Sequence, residues 1–537
     1  MEEKQKKMMI LGASALQVPA IKEAKELGYQ IILVDYDENA VGFALADVKL
    51  VVSTLDQDEV YRQALIYRPD VVMTSTSDGP VRTAAYVNEK LGKRPDLSYE
   101  NAFCATIKSK MRDRLKECGV PIPEYYAAAD YEAFSEAVDK LEGDCIVKPA
   151  DNAGSRGVVH MDYKVHQGEQ LEYETLARKE SAERMAAYYR AIYHYSRGNA
   201  RNGTVMVEEY MHGPEVSVEI MVIEGEPHIL TITDKFITPP PYFVELAHCE
   251  PSRLDEETQE RIRKVAVQAV RAIGIENAPA HVEIKVTEDG PKIVELAARL
   301  GGDFITSRLV PLSTGIDMVG ASVLLATGEA PDLTPKWKRG AAIHFISVSN
   351  EPSGGEADIW RVPREPEAPQ LAEGMLASVS NEPSGGEADI WRVPREPEAP
   401  QLAEGMLASV SNEPGGGEAG ICRAPRVSEA PQLAEGMLAS VDSRPGGEDS
   451  ETASSGQQAA AQAGVITRIT VPDALYGLEG VEEIILYKKP GDRVKGTRSS
   501  NDRLGHVITT GETPEQAMEL GKRVMAQICV EIGKPSE

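Results

Sequence analysis

The chain has 537 residues, which is enough for two to four domains with separate hydrophobic cores. Its 57 Lys and Arg residues stand against 85 Asp and Glu, a formal charge of -28, so nucleic-acid and anionic-membrane partners are not expected, because phosphate groups are bound by basic surfaces. No apolar run reaches about 18 residues, and the N-terminus lacks a signal-peptide pattern, which predicts a cytoplasmic protein. The 6 cysteines form no C-x-x-C pattern, so reduced thiols are expected.

Residues 8–98 alternate between strand and helix patterns. MMILGAS predicts a strand that ends in a glycine turn, VPAIKEAKELG a helix, YQIILVDYD a second strand and PVRTAAYVNEKLG a later helix. This order predicts a parallel α/β unit, in which ligands bind at the carboxyl ends of strands. Asp78, at the end of VVMTSTSD, is therefore predicted to contact a ligand, although an acid favoured by a helix N-terminus is as good an interpretation.

The segment DCIVKPADNAGSRGVV combines an apolar strand with a glycine-rich loop. The strand leads to Lys148, and the loop holds Gly154, Ser155 and Gly157. Backbone N–H groups of such a loop bind anions, and a neighbouring lysine neutralises phosphate charge. A structural hairpin would explain the glycines alone.

Two further features favour a nucleotide site. A second lysine, Lys108, precedes the glycine-rich loop, and VMVEEYMHGPEVSVEIMV places two carboxylates and a G-P-E sequence between two strands. The connection between these strands offers backbone groups for an adenine, and Glu215 is predicted to bind ribose hydroxyls.

The segment KIVELAARLGGDF indicates one wall of a site for a charged ligand. A strand ends on Glu295, Arg299 follows four residues later, and Gly301 and Gly302 allow a ligand to approach the backbone.

Residues 347–463 consist mainly of a 31-residue repeat. SVSNEPSGGEADIWRVPREPEAPQLAEGMLA at 347–377 recurs unchanged at 378–408 and with six substitutions at 409–439. The segment has 20 acidic and 7 basic residues and no sustained helical or strand period, which predicts a disordered insert. The residues after it, from GVITRITV onward, are predicted to continue the preceding domain, and TPEQAMELGKRVMAQICVEIG predicts an amphipathic helix with Ala517, Leu520, Val524 and Ile528 on one face.

Taken in chain order, these motifs and the segment HVEIK, which contains Glu283, resemble the ATP-grasp superfamily over about residues 8–346 and 464–532. The resemblance implies a mixed α/β and α+β fold in four parts. An N-terminal parallel α/β domain is expected at 1–100, and a central linker with a small ATP-binding lid domain at 101–212. A C-terminal ATP-grasp catalytic domain is expected at 213–346 plus 464–537, and the disordered insert at 347–463.

The resemblance also implies ATP and Mg²⁺ as cofactors, with Mn²⁺ as a substitute, and roles for individual residues. ATP is expected to contact Lys108, Lys148, Gly154, Ser155, Glu208, Glu209, Met211 and Glu215. The expected metal ligands are Glu283 and Glu295, and Arg299 is expected to stabilise the transition state of phosphoryl transfer.

Within the superfamily, PYFVELAHCEPSRL resembles the substrate segment of L-amino-acid ligases. The resemblance implies ATP-dependent joining of amino acids through an acyl phosphate. The substrate-binding residues are predicted to be Asp78, Glu245, His248, Gly301, Gly302 and Asp303. His281 is interpreted as structural. Ala297 departs from the superfamily pattern E-x-N-x-R, in which an asparagine helps to bind the metal.

Two other functions stay open at this point. One is a ligase or carboxylase that activates a small acid such as bicarbonate or formate in purine-type metabolism, and the other is a non-catalytic nucleotide-binding regulatory protein. All three imply small-molecule ligands. A homodimer is expected from the resemblance only.

Overall fold

The computed structural model describes residues 5–93, 96–152, 154–161, 175–240, 243–348 and 464–533. Apart from Ser347 and Val348, the repeat segment and its predicted disorder therefore lie outside the described residues.

The first part of the chain forms a four-stranded parallel sheet in the order β3-β2-β1-β4. Met8 and Ile10 of the first strand pack on one face, and Met9 and Leu11 pack on the other, so helices cover both sides. The elements are β1 (Lys7–Leu11), α1 (Val18–Glu26), β2 (Gln30–Asp35), β3 (Val48–Val51), α2 (Gln57–Tyr67), β4 (Val71–Met73) and α3 (Gly79–Lys90).

Two helices then lead into an antiparallel sheet in the order β5-β8-β6-β7. This sheet packs against Phe134, Tyr189 and Ile192. The elements are α4 (Tyr99–Cys104), α5 (Lys108–Glu117), β5 (Tyr125–Ala128), α6 (Tyr131–Leu141), β6 (Cys145–Pro149), β7 (Val159–Met161), α7 (Thr175–Gly198) and β8 (Val205–Glu209).

An eight-stranded antiparallel sheet carries five of the predicted site residues, which are Glu215, Glu245, His248, Glu283 and Glu295. Its elements up to the repeat segment are β9 (Glu215–Ile223), β10 (Glu226–Ile237), β11 (Glu245–Glu250), α8 (Glu256–Ile273), β12 (Pro279–Thr287), β13 (Gly290–Ala297), α9 (Val310–Thr314), α10 (Met318–Thr327) and β14 (Gly340–Ile346). After the repeat segment come β15 (Gly464–Thr470), β16 (Val481–Leu486), β17 (Arg493–Val494), β18 (Gly505–Gly511), α11 (Pro514–Met525) and β19 (Cys529–Gly533).

The strand order of this sheet is β13-β12-β9-β10-β11-β14-β18-β16. Strand β18 pairs with β14, with Ile508 opposite Ile343, so the residues after the repeat segment extend the sheet that precedes it. The mixed α/β fold class is therefore confirmed, whereas the domain boundaries stay a prediction.

The predicted C-terminal helix over 513–533 is wrong in its second half. Helix α11 ends at Met525, and residues 529–533 form β19, which pairs with β15 in a separate three-stranded sheet. Ile528, Val530 and Ile532 alternate with other residues, and this β-branched alternation suits a strand.

None of the described helices is by itself both long and apolar enough to cross a membrane, although residues 305–314 and 318–327 together meet that test across a bend of 111°. The five cysteines within the described residues are free thiols, as the sequence analysis expects.

Candidate functional site

A buried glutamate organises the predicted nucleotide side. Glu208 in β8 lies in the same antiparallel pair as Lys148 in β6, whose Nζ is 2.7 Å from Glu208 Oε2. Arg112 in α5 binds the same carboxylate with two prongs, Nε to Oε1 at 2.9 Å and Nη2 to Oε2 at 3.0 Å. Burial alone would raise the pKa of Glu208, but the charges of Arg112 and Lys148 outweigh it and lower the pKa to about 2.

Arg112 was not predicted from the sequence as a site residue. It lies one helical turn after Lys108, and its Nη2 also donates to Val294 O in β13 at 2.8 Å, which joins the helix to the sheet. The Glu208 side chain therefore faces two buried cations. Burial lowers the pKa of Lys148, and Glu208 opposes that shift.

The connection after β8 is held on both sides of the predicted adenine contacts. The Glu209 carboxylate accepts hydrogen bonds from Lys292 Nζ at 3.1 and 3.2 Å, and Tyr210 N–H donates to Asp144 O at 2.9 Å. Met211 is buried. These contacts fix the backbone where an adenine is predicted to bind.

The glycine-rich loop reaches Lys108. Gly154 and Ser155 both have positive φ, 66° and 54°, and a Cβ atom on Gly154 would meet no atom within 4 Å. Lys108 Nζ donates to Asn152 O at 2.8 Å, so the loop and the lysine predicted to bind phosphates lie together.

Two lysines hold Glu215, the predicted ribose ligand. Its Oε1 is 2.8 Å from Lys235 Nζ, and its Oε2 is 3.1 Å from Lys285 Nζ. Lys235 also lies 3.0 Å from Glu283 Oε1 and therefore links the predicted ribose and metal residues. Lys235, which was not predicted from the sequence, is directly opposite Glu215 in the β9–β10 pair.

The two predicted metal ligands lie opposite each other. Glu283 in β12 and Glu295 in β13 are register partners, and their side chains are 24% and 30% exposed. Lys108 Nζ lies 2.6 Å from Glu295 Oε1. Within the described residues no group of three or more His, Cys, Asp and Glu side chains could hold a metal. Two carboxylates nevertheless fit Mg²⁺, which takes few protein oxygens and completes its shell with phosphate oxygens and water.

His281 occupies the space near Ala297. The two residues are register partners, and the imidazole contacts Glu219 Oε1 through Nδ1 at 2.7 Å and Glu283 Oε1 through Nε2 at 3.3 Å. Burial lowers the pKa of His281, but the two glutamates outweigh it and raise the pKa to about 9. Although His281 is interpreted as structural from sequence, it lies next to a predicted metal ligand.

Arg299 and Asp78 form an ion pair across 221 residues of sequence. Arg299 Nε lies 2.7 Å from Asp78 Oδ1, at the N-terminus of α3. Burial would raise the pKa of Asp78, but Arg299 lowers it below its ordinary value. The predicted transition-state cation is thus held by the carboxylate that was predicted to contact substrate.

The glycines after Arg299 differ in their surroundings. A Cβ atom on Gly301 would lie 2.7 Å from His281 Nδ1 and 2.9 Å from Glu219 Oε2, so only glycine fits there, whereas a Cβ atom on Gly302 would meet nothing within 4 Å. Both glycines line a small cavity together with Ser75, Thr76 and Thr306.

The remaining predicted substrate residues form a second cluster. Asp303 Oδ2 lies 3.4 Å from His248 Nε2. Both carboxylate oxygens of Asp303 bind Arg503, at 2.8 and 2.9 Å. Arg503 Nη2 also donates to Glu245 Oε2 at 2.8 Å. Burial would raise the pKa of Asp303, but Arg503 and His248 hold it well below its usual range.

Two segments of the chain, one before and one largely after the repeat segment, match known protein families. A family model described as an ATP-grasp domain matches residues 141–307, and one described as L-amino acid ligase C-terminal domain 2 matches residues 458–533. An uncharacterised protein of Sinorhizobium fredii is 30% identical over 246 residues, which are 45% of this chain and 46% of that protein. The alanine–anticapsin ligase of Bacillus subtilis strain 168 is 26% identical over 258 residues, 46% of this chain and 51% of that ligase.

This chain therefore spans about half the length of the curated relatives that it matches. The crystal structure of an L-amino acid ligase from Bacillus licheniformis has the same fold, with a TM-score of 0.63 and 18% identity, covering 99% of this chain and 100% of that one. The resemblance found in the sequence is confirmed: the chain contains an ATP-grasp domain at residues 141–307 and an L-amino acid ligase C-terminal domain 2 at residues 458–533.

Proposed function

We propose that the protein is an ATP-dependent carboxylate–amine ligase that joins two amino acids through an acyl phosphate. The match to an L-amino acid ligase C-terminal domain favours this substrate class over bicarbonate or formate. Its substrates are small molecules.

The observation that carries the proposal is the cross-strand pair Glu283 and Glu295 among three cations. Lys108 contacts Glu295 at 2.6 Å, Lys235 contacts Glu283 at 3.0 Å, and the charges of both glutamates act on Arg299. Phosphoryl transfer needs positioning and charge neutralisation more than a protein nucleophile, and this arrangement suits that need.

In the proposed first step, an oxygen of the substrate carboxylate attacks the γ-phosphorus of ATP. A new P–O bond forms, the bond to the bridging oxygen breaks, and ADP leaves. Lys108 and Lys148 neutralise the phosphates, and Arg299 neutralises charge on the transferred group. Glu283 and Glu295 would hold Mg²⁺, or Mn²⁺ in its place, which supplies further positive charge next to the phosphate oxygens.

In the proposed second step, the nitrogen of the second amino acid attacks the carbonyl carbon of the acyl phosphate. The ammonium group first gives a proton to water, because only the neutral amine has the lone pair for attack. The C–N bond then forms, the C–O bond breaks as phosphate leaves, and a second proton passes from the nitrogen to the departing phosphate to give the amide. Glu245 and Asp303 would bind an ammonium group, because both present carboxylate oxygens in one cluster with His248.

Phosphate release from ATP tests this proposal directly. The full chain is incubated with ATP and Mg²⁺ and screened against pairs of amino acids, with bicarbonate or formate plus an amine as the comparison. We expect at least one amino-acid pair to raise the rate and to give a dipeptide by mass spectrometry. Stimulation by bicarbonate or formate alone would reject the amino-acid assignment, and ATP binding without stimulation by any of these acids would favour a regulatory protein.

A further inference from the structure

Arg503 is the residue that joins the two predicted substrate carboxylates. It lies just before β18, beyond the repeat segment, and is separated from Asp303 by 200 residues and from Glu245 by 258. Its Nη1 and Nη2 bind the two oxygens of Asp303 at 2.8 and 2.9 Å, and Nη2 also binds Glu245 Oε2 at 2.8 Å. A planar guanidinium makes this two-pronged contact, whereas an ammonium cannot.

The guanidinium of Arg503 is fixed by packing as well as by charge. Its side chain is 4% exposed, and its central carbon lies 3.7 Å from the centre of the Phe345 ring. Stacking on an aromatic ring and a two-pronged ion pair together leave the side chain little freedom. Asp303 and Phe304, which follow Gly302, have positive φ of 50° and 63°, and the contact with Arg503 holds Asp303 in this strained backbone.

One carboxylate oxygen of the cluster has no partner. Arg503 contacts both Glu245 and Asp303, whereas His248 contacts Asp303 alone. Ser500 Oγ and Arg503 both bind Glu245 Oε2, at 3.1 and 2.8 Å, whereas Oε1 has no hydrogen bond or ion pair among the residues that the structure describes. This acceptor oxygen of Glu245 is therefore available to a ligand.

We propose that Arg503 is a positioning residue, which sets Glu245 and Asp303 side by side and leaves Oε1 of Glu245 open to the ammonium group of an amino-acid substrate. This inference rests on the proposed function. It also gives the segment after the repeats a part in substrate binding.

The test uses the full chain and the amino-acid pair that gives the fastest phosphate release. KM is measured for ATP and for each amino acid in turn in wild type, Arg503→Ala and Arg503→Lys. We expect Arg503→Ala to raise the KM of one amino acid at least about 10-fold, because truncation leaves two carboxylates without their common partner, and to leave the KM of ATP within about twofold. Arg503→Lys keeps the charge without the two prongs and should lie between wild type and Arg503→Ala.

Arg253→Ala is the matched control. Arg253 also binds an aspartate, Asp234, through Nε at 3.1 Å and lies over a phenylalanine ring at 5.1 Å, but it lies outside the cluster. We expect this variant to keep the amino-acid KM of wild type. Melting temperatures show which variants are folded, and if Arg503→Ala is not folded, Arg503→Lys carries the test.

The outcomes separate the inference from the proposed function. An unchanged amino-acid KM in folded Arg503 variants, or equal increases in the KM of ATP and amino acid, would overturn the positioning role alone. If no amino-acid pair stimulated phosphate release by the wild-type chain, the proposed function would be overturned, and this inference with it.

Discussion

The candidate site has a predicted nucleotide side, with Lys108, Lys148 and Glu208, and a predicted substrate side, with Glu245 and Asp303. Each side has a buried glutamate, and the pKa values of these two glutamates are shifted in opposite directions. Glu208 on the nucleotide side is 2% exposed and contacts Arg112 and Lys148, and its pKa is lowered to about 2. Glu250 ends the strand that carries Glu245 and His248 and is fully buried, and its side-chain partners among the described residues are two hydroxyls, Thr233 Oγ1 at 2.8 Å and Ser313 Oγ at 3.0 Å. Burial raises the pKa of Glu250 to about 8, although both hydroxyls oppose the shift.

The difference shows how each side keeps its shape without a ligand. On the predicted nucleotide side, carboxylates hold Lys108 and Lys148, the cations that are predicted to meet phosphate, so these cations are in place without a ligand. On the predicted substrate side, the strand that carries Glu245 and His248 ends in Glu250, an acid whose pKa is raised by burial, and the ion pairs lie among Glu245, Asp303 and Arg503.

The largest effect is expected from Glu295→Gln, which removes one of the two carboxylates opposite each other on the nucleotide side. The substitution keeps the size of the side chain but removes the charge that contacts Lys108 and that is proposed to hold Mg²⁺. We expect turnover to fall at least about 100-fold, measured as amino-acid-stimulated phosphate release at saturating ATP. Glu288→Gln, at an exposed position in the turn between β12 and β13, is the control and should keep the wild-type rate. A Glu295→Gln variant with wild-type turnover would refute the metal role.

The next effect concerns stability and sharpens the contrast between the two buried glutamates. Glu208 contacts two cations, Arg112 and Lys148, and Arg112→Met leaves only Lys148. Breaking a buried ion pair costs about 3–5 kcal/mol, and we expect a loss of unfolding free energy of that order by urea denaturation. Arg114→Met, on the same helix, removes two hydrogen bonds of 3.3 Å and should cost less than about 1 kcal/mol. Equal losses in the two variants would show that the ion pair between Arg112 and Glu208 contributes no more to the unfolding free energy than the hydrogen bonds of Arg114.

Glu250 should show its neutral state in a pH series. Its folded-state pKa of about 8 lies above the ordinary value of 4.5, so its stabilising contribution is complete below pH 4.5 and is lost as pH rises through 8. Glu250→Gln removes this dependence. The unfolding free energy of wild type minus that of the variant should therefore fall between about pH 5 and 8, by at most about 1.4 kcal/mol per pH unit.

Glu257→Gln, at an exposed position in the first turn of α8, is the control for the pH series. Its difference from wild type should stay constant over the same range. A constant difference for Glu250→Gln as well would mean that Glu250 is ionised in the folded protein, and the contrast between the two sides would be lost.

The sequence predicted the motifs of the site better than the contacts between them. Lys148, Glu283 and Glu295 follow from strand patterns and from the resemblance, because each stands inside a recognisable motif. Arg112, by contrast, looks like its neighbour Arg114 in the sequence, and only the path of α5 past β8 distinguishes them. Lys235 depends on the register of β10 against β9, which residue alternation alone does not fix.

Arg503 and Ile528 show two other limits. A contact across 200 residues has no local signal, so Arg503 could not be connected with Asp303 before β18 was seen to pair with β14. Ile528 fits the apolar face of a helix by spacing, but β15 offers a strand partner to the residues that follow it, and tertiary pairing prevailed over local periodicity.

The smallest effect is expected from replacing residues 349–463 with a six-residue Gly/Ser linker. Val348 O accepts hydrogen bonds from Thr497 N at 3.3 Å and Oγ1 at 3.0 Å, and Gly464 pairs with Val494. The two ends of the deletion therefore lie next to Thr497 and Val494, which are three residues apart. Three extended residues span about 10 Å, a distance that the six-residue linker can cross. Because β18 places Arg503 by pairing with β14, turnover should stay within about twofold and the melting temperature within about 3 °C. Loss of amino-acid-stimulated phosphate release in a folded deletion variant would mean that the repeats take part in the substrate side.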